Sequence, residues 1–189
     1  MLTIVWDVDD VLNNLMFSWF HTAWLPAHRG CTVSYRDLTE NPPHRLLGIT
    51  EQEYLDSLDA FRLSDAACQM TPTPEVLEWL GGHGFGFRHI ALTARPLSTA
   101  PRLSEWLFRH FGAYIRLFGV VPTRRQNGEP VYDTNKAEFL EWLGKADLVV
   151  DDSPANLAAI QRLGIRGVLF PQPWNGSTLS VAAALKALT

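Results

Sequence analysis

The sequence predicts an α/β fold, a doubly wound parallel sheet with a small helical cap inserted after its first strand. Three observations lead there. Continuous apolar runs rich in β-branched residues recur at 2–8 (LTIVWDV), 88–93 (RHIALT), 115–121 (IRLFGVV), 147–151 (DLVVD) and 166–170 (RGVLF). Helical stretches separate the later runs, at 74–82, 99–111, 135–143, 154–163 and 178–188. Residues 13–72, by contrast, hold no such run. A short run without polar alternation suits a strand buried on both faces of a parallel sheet. Alternation of strands and helices implies βαβ units with right-handed crossovers.

Taken in order, the first run ends in acids at Asp7, Asp9 and Asp10. An aromatic amphipathic stretch, LMFSWFHTAWL, follows, then a proline-containing linker (NPPH) and a more polar helical stretch, ITEQEYLDSLDAF. An insertion at this point sits over the strand ends, so 13–72 reads as a helical cap on a core formed by 1–12 and 73–189. Thr73-Pro74 and Ser153-Pro154 each read as an N-cap followed by proline in the first helical position. Lys136 falls near the start of the helix within DTNKAEFLEWL. The PQPWN stretch around Trp174 reads as an exposed segment.

Composition narrows the function classes. A chain of 189 residues with 47% hydrophobic and 19% charged residues can bury one sizeable core. Its two cysteines, Cys31 and Cys68, neither form a disulfide framework nor have the spacing of a structural zinc site, and they suit a reducing cytoplasm. The net charge of −4 gives no basic footprint for a nucleic-acid polymer. It also means that an anionic ligand needs local cations. No stretch approaches the ~18 apolar residues of a membrane span, and the early aspartates interrupt any signal-peptide pattern. The expected location is the cytoplasm; association as a homodimer stays open.

In open α/β sheets, ligands bind at the carboxyl ends of strands. Four such points carry chemistry: Asp7-Val8-Asp9-Asp10, Leu92-Thr93-Ala94-Arg95, Lys136, and Asp151-Asp152-Ser153-Pro154. Carboxylates packed together repel one another and attract a hard divalent cation, with Mg2+ the expected ion. Asp152, just before a helix N-cap, has its charge favoured by the helix dipole. The Thr93 hydroxyl and nearby backbone N–H groups, Ala94 included, can hold phosphate oxygens, and Lys136 supplies a fixed positive charge. Together they form an electrostatic clamp for a phosphoryl group, the main source of phosphoryl-transfer catalysis. Taken singly, each motif has a structural reading as a strand end, a turn or a helix start. Their conjunction in one order is what points to a site.

These four motifs resemble those of the haloacid dehalogenase (HAD) superfamily, whose core is Rossmann-like: IVWDVDDVL, HIALT with Thr93, Lys136, and LVVDD. The resemblance covers residues 1–12 and about 73–170. It implies a Mg2+-dependent phosphatase acting on a small phosphate monoester. Asp7 is then the nucleophile that forms an aspartyl-phosphate, and Asp9 the general acid and base, with a pKa raised by like charge. Thr93 binds the phosphoryl group and Lys136 stabilises its charge. Mg2+ is held by Asp7, the Asp9 backbone carbonyl and, from the acidic pair, Asp152 in preference to Asp151. One departure is Asn156, where a further acid often stands; asparagine is expected to hydrogen-bond a metal-bound water.

The stretch PRLSEWLFRHFG (101–112) is similar to the corresponding helix of 5′(3′)-deoxyribonucleotidases, which makes a nucleotide a candidate substrate. Trp19, Phe20, Trp24, Tyr35 and Phe61 are then candidates for base stacking, with core packing as their alternative. His44, Arg45, Arg124 and Arg125 are candidates for a second anionic group, or ordinary surface. Three other readings compete. A dehalogenase of the same superfamily lacks the second aspartate of the first motif, which is present here as Asp9. A phosphomutase needs a cap that lets an intermediate turn round. A non-catalytic binding module would have lost a motif acid.

Overall fold

The computed structural model describes residues 1–123 and 128–189. The strands are β1 (Thr3–Trp6), β2 (Arg88–Arg95), β3 (Ile115–Pro122), β4 (Leu148–Asp151) and β5 (Arg166–Leu169). They form one sheet in the order β3-β2-β1-β4-β5, with every pairing parallel. Chain order therefore reverses at β1, and the crevice at that reversal is where such sheets bind ligands. The strand runs foreseen from the sequence are all present. The first is shorter than its apolar run, because the chain leaves β1 at Asp7 in a wide turn over Val8–Leu12.

Alternation along the strands sends side chains to two apolar layers. Ile4 and Trp6 pack on one face with α5 (Pro74–His83) and α6 (Ala100–Phe111), through Val76, Leu80, Trp106 and Phe111. The last helix, α9 (Val181–Lys186), joins this layer through Leu185. Val5, Ile90 and Val149 pack on the other face with α7 (Lys136–Leu143) and α8 (Pro154–Gln161), through Leu140, Leu157 and Ile160. Inside the first layer, Trp6 Nε1 donates to His89 Nδ1 at 3.0 Å, and His89 Nε2 meets the Gly84 carbonyl at 2.8 Å. With Nδ1 accepting, Nε2 carries the proton. Burial lowers the pKa of this imidazole, so it stays neutral at physiological pH.

Residues 13–72 contribute no strand to the sheet. They hold α1 (Leu15–Trp19), which runs through a wide turn (Phe20–Trp24) into α2 (Leu25–Ala27), then α3 (Glu51–Arg62) and α4 (Asp65–Cys68). Thr50 and Glu53 form a reciprocal capping box that starts α3. These helices share an apolar cluster of their own around Trp19, Phe20, Trp24, Tyr54, Leu58 and Phe61. The ends of the segment meet where Asn13 bridges Pro72. Thr73, foreseen as an N-cap, stands in that position, but its hydroxyl donates to the Val11 carbonyl at 2.7 Å and so ties the neck instead. Among the described residues, no helix is long and apolar enough to cross a membrane.

Candidate active site

The turn after β1 sets the site. Asp7 is extended (φ −62°, ψ 154°), and its side chain accepts the Val8 N–H at 2.6 Å. Asp10 has a positive φ of 62°, which carries the chain back towards the insertion. Asparagine 13, fully buried, holds the turn: its Oδ1 accepts from the N–H groups of Asp10 and Leu15, and its Nδ2 donates to Asp9. Asp10 caps the following helix by accepting the Met16 N–H at 2.9 Å. A left-handed residue is unfavourable except where local side-chain bonds over-determine it, and here they do.

Lys136 begins α7 behind its N-cap Asn135 and is buried. Its Nζ lies 2.8 Å from Asp7 Oδ2 and 2.7 Å from Asp151 Oδ2. Asp151 also accepts from the Ser153 N–H and from Asn156 Nδ2. Asn156 thus anchors Asp151 directly, through a bond that the expectation of a metal-bound water did not include. Asp152 accepts from Trp174 Nε1 at 2.6 Å, and its carbonyl accepts from Asn175 Nδ2. Trp174, read from the sequence as exposed, is half-buried against the inserted segment and stands edge-on to Tyr35. Gln172, from the same loop, donates to the Asp10 carbonyl at 2.6 Å.

Asp7, Asp151 and Asp152 each offer an oxygen within 4.8 Å of the others. Three carboxylates and one ammonium leave a formal charge of −2, and hard oxygen donors suit a divalent cation such as Mg2+. The acidities agree. Burial pushes Asp7 well above the usual carboxylate range; Lys136 opposes this, while Asp151 and Asp152 add to it. Burial, then Asp151, pushes Asp152 up to about 6. Burial works against the Lys136 charge, but Asp151 and Asp7 outweigh it, and the lysine is held protonated. One lysine does not offset the trio, and a cation would.

Asp9 departs from expectation. Its carboxylate is not part of the trio and is gripped by Arg95 at 2.5 Å and Arg62 at 3.1 Å. Burial alone would raise its pKa, but Arg95 and then Arg62 hold it below the usual range. The expected rise from like charge does not occur, because two guanidinium groups lie closer than the other acids.

These groups surround a cavity of about 340 Å³. The core lines it with Asp7, Asp9, Asp10, Thr93, Ala94, Lys136, Asp152, Ser153 and Asn156. The inserted segment lines it with Met16, Pro42, Glu51, Tyr54, Leu55, Leu58 and Arg62, among others. The sequence-derived candidates Asp7, Asp9, Thr93, Ala94, Lys136 and Asp152 thus meet at one hollow. The stacking candidates do not. Trp19, Phe20, Trp24 and Phe61 are buried in the insertion's own core, and Tyr35 is half-buried beside Trp174. Among the described residues, Tyr54 is the only aromatic side chain lining the cavity. His44 and Arg45 are not in that lining, and Arg124 and Arg125 lie outside the described residues. Sequence reasoning missed Arg62, Asn13 and Trp174, each of which acts through a partner at least four positions away. Arg95 did stand in the Leu-Thr-Ala-Arg motif and could have been weighed as a partner of Asp9.

The architecture is therefore a doubly wound α/β core with an acidic, lysine-braced crevice at the strand ends. Comparison with solved structures shows where this fold recurs: it is shared with several haloacid dehalogenase superfamily hydrolases, at 16% identity or less. A haloacid dehalogenase-like family hydrolase from Streptococcus pneumoniae matches at a TM-score of 0.62 and 12% identity, over 99% of this chain and 90% of that one. A Thermotoga maritima chain assigned as a beta-phosphoglucomutase matches at 0.55 and 18%, over 100% and 98%. A 2-haloacid dehalogenase from Pseudomonas syringae matches at 0.51 and 16%, over 100% and 96%. No family model and no curated protein matches the sequence.

Proposed function

We propose that this chain is a Mg2+-dependent phosphohydrolase that cleaves a small phosphate monoester through an aspartyl-phosphate on Asp7. The observation that carries the reading is Lys136, a buried cation bridging Asp7 and Asp151, with Asp152 beside them and Thr93 on the wall of the same cavity. Asp7, Asp152 and the Asp9 carbonyl would hold the metal, which neutralises charge and lets an anionic ester approach an anionic nucleophile. Asp7 attacks phosphorus and the ester P–O bond breaks. Asp9, once released from Arg62 and Arg95 and protonated from solvent, gives that proton to the leaving alcohol oxygen. Water then attacks the phosphoryl group as Asp9 takes its proton, the bond to Asp7 breaks, and phosphate leaves. Covalent catalysis splits one hard displacement into two, and a carboxylate needs no base to be nucleophilic. Thr93, the Ala94 N–H and Lys136 bind the phosphoryl oxygens.

Residues 13–72 act as a cap in this reading, because they supply the wall opposite the acids. That wall is largely apolar (Met16, Pro42, Tyr54, Leu55 and Leu58), with one aromatic ring. It favours a compact leaving group over one that needs an aromatic sandwich, so nucleoside monophosphates belong in the substrate screen without leading it. Asp9 favours hydrolysis of phosphate esters over dehalogenation, since a halide leaves without a proton. The test is hydrolysis of p-nitrophenyl phosphate with Mg2+. Wild type should turn over, and both excess chelator and Asp7→Asn should stop it. Near wild-type turnover in either case would refute the reading.

A further inference from the structure

Two arginines from separate parts of the chain converge on one carboxylate. Arg62 closes α3 in the inserted segment and Arg95 closes β2; their Nη2 atoms lie 3.1 Å and 2.5 Å from the two oxygens of Asp9. Arg62 also pairs with Asp59 through Nη1 at 2.9 Å. Arg95 is only 2% exposed, and the Nε of each guanidinium is buried without a hydrogen-bond partner. Arg62 and Asp9 line the same cavity as Thr93, Ala94 and Lys136. Of the two cations in that lining, Lys136 is paired with Asp7 and Asp151, and Arg62 with Asp9 and Asp59; Arg95 stands behind Asp9, outside that lining, and shares a smaller cavity with Arg62.

A buried guanidinium persists only with an anion against it, and stripping one partner from a buried pair costs several kcal/mol. If Asp9 serves the leaving oxygen, it must withdraw from the arginines; Arg62 keeps Asp59, and the place vacated between Arg62 and Arg95 is open to another anion. Guanidinium groups match carboxylate and phosphate oxygens in geometry and charge. We propose that Arg62 and Arg95 form an anion subsite for a second acidic group, carboxylate or phosphate, on the alcohol part of the substrate, with Asp9 as its internal occupant in the substrate-free protein. This rests on the phosphohydrolase reading and narrows it: the substrate is a small phosphate monoester bearing another acid near the ester oxygen. A cavity of about 340 Å³ suits so compact a molecule.

A binding experiment without turnover tests the subsite. Inorganic phosphate is titrated calorimetrically, in chelator, into wild type, Asp9→Ala and the Asp9→Ala/Arg62→Met double variant. With Asp9 gone the arginines should take phosphate at least about tenfold more tightly than wild type, a gain of ~1.4 kcal/mol, and the double variant should lose that gain. No gain in Asp9→Ala, or a gain that survives Arg62→Met, overturns the subsite. A second arm covers misfolding of Asp9→Ala. With Mg2+, wild type should prefer 2-phosphoglycolate over 2-hydroxyethyl phosphate, and Arg62→Met should cost the acidic ester about tenfold more in kcat/KM than the uncharged one. Equal losses overturn the subsite. If wild type hydrolyses neither ester, the phosphohydrolase reading fails, and phosphate binding still decides the arginine pair.

Discussion

The acidic trio makes the metal-free protein sensitive to pH in an unusual direction. Asp152 moves from an ordinary 3.8 to about 6 on folding, through burial and then Asp151, and Asp7 and Asp10 move the same way. An acid whose folded pKa is raised keeps a proton that the unfolded chain has already released. Stability therefore falls as pH climbs from about 4 to 6, and the full penalty applies above the folded value. At ~1.4 kcal/mol for each tenfold change in proton affinity, Asp152 alone costs about 3 kcal/mol. For a chain of this length that is about 6–12 °C in Tm. Asp9 and Glu53, held below their usual range, act in the opposite sense only at lower pH, but His89 and His110, lowered chiefly by burial, also oppose the acids as pH rises towards 6.5, so the share of Asp152 is read as the difference between wild type and Asp152→Asn. Thermal melts at pH 5.0, 6.0 and 7.5 in chelator should show Tm falling. Mg2+ at ~100 times its Kd should restore about 2.7 kcal/mol at pH 7.5. Asp152→Asn should flatten the chelator series. An Asp152→Asn series as steep as that of wild type, with no shift in wild-type Tm on adding Mg2+, would refute the reasoning that three buried acids await a cation.

Other perturbations follow from the same contacts. Lys136→Met strands Asp7 and Asp151 and should cost ~3–5 kcal/mol in urea unfolding without metal; a loss below ~1 kcal/mol would show the bridge to be weak. Trp174→Phe keeps the ring against the insertion but deletes the bond to Asp152, and should weaken Mg2+ binding by ~10–100-fold in calorimetry. Unchanged affinity would mean that Asp152 is oriented by other groups. Asp9→Asn removes the proton donor, so hydrolysis of an alkyl phosphate should fall further than that of p-nitrophenyl phosphate, whose leaving group needs little help; equal losses in kcat would place Asp9 outside proton transfer.

Much of the fold was legible because its signals are local. A continuous apolar run forms a doubly buried strand wherever it sits, and Ser153-Pro154 starts α8 through its own neighbours, with Ser153 Oγ accepting the Asn156 N–H. The same locality exposed Asp7, Thr93, Lys136 and Asp152, each at a strand end or helix start. The aromatic residues of the insertion were not legible in this way. A helical stripe such as Phe20 and Trp24 looks alike whether it faces a ligand or its own core, and here it faces the core.

By itself, then, the sequence determined the doubly wound sheet and the strand ends and helix starts that carry Asp7, Thr93, Lys136 and Asp152. Only tertiary structure decided how the acids are partnered. Arg62 and Arg95 reach Asp9 across 53 and 86 positions, and Trp174 reaches Asp152 across 22. Strand and helix formation depend on neighbours in the chain, whereas the charge state of a buried carboxylate depends on whichever groups the fold brings within a few ångströms. That is why Asp9, expected to hold its proton more tightly among like charges, is instead held ionised by two arginines.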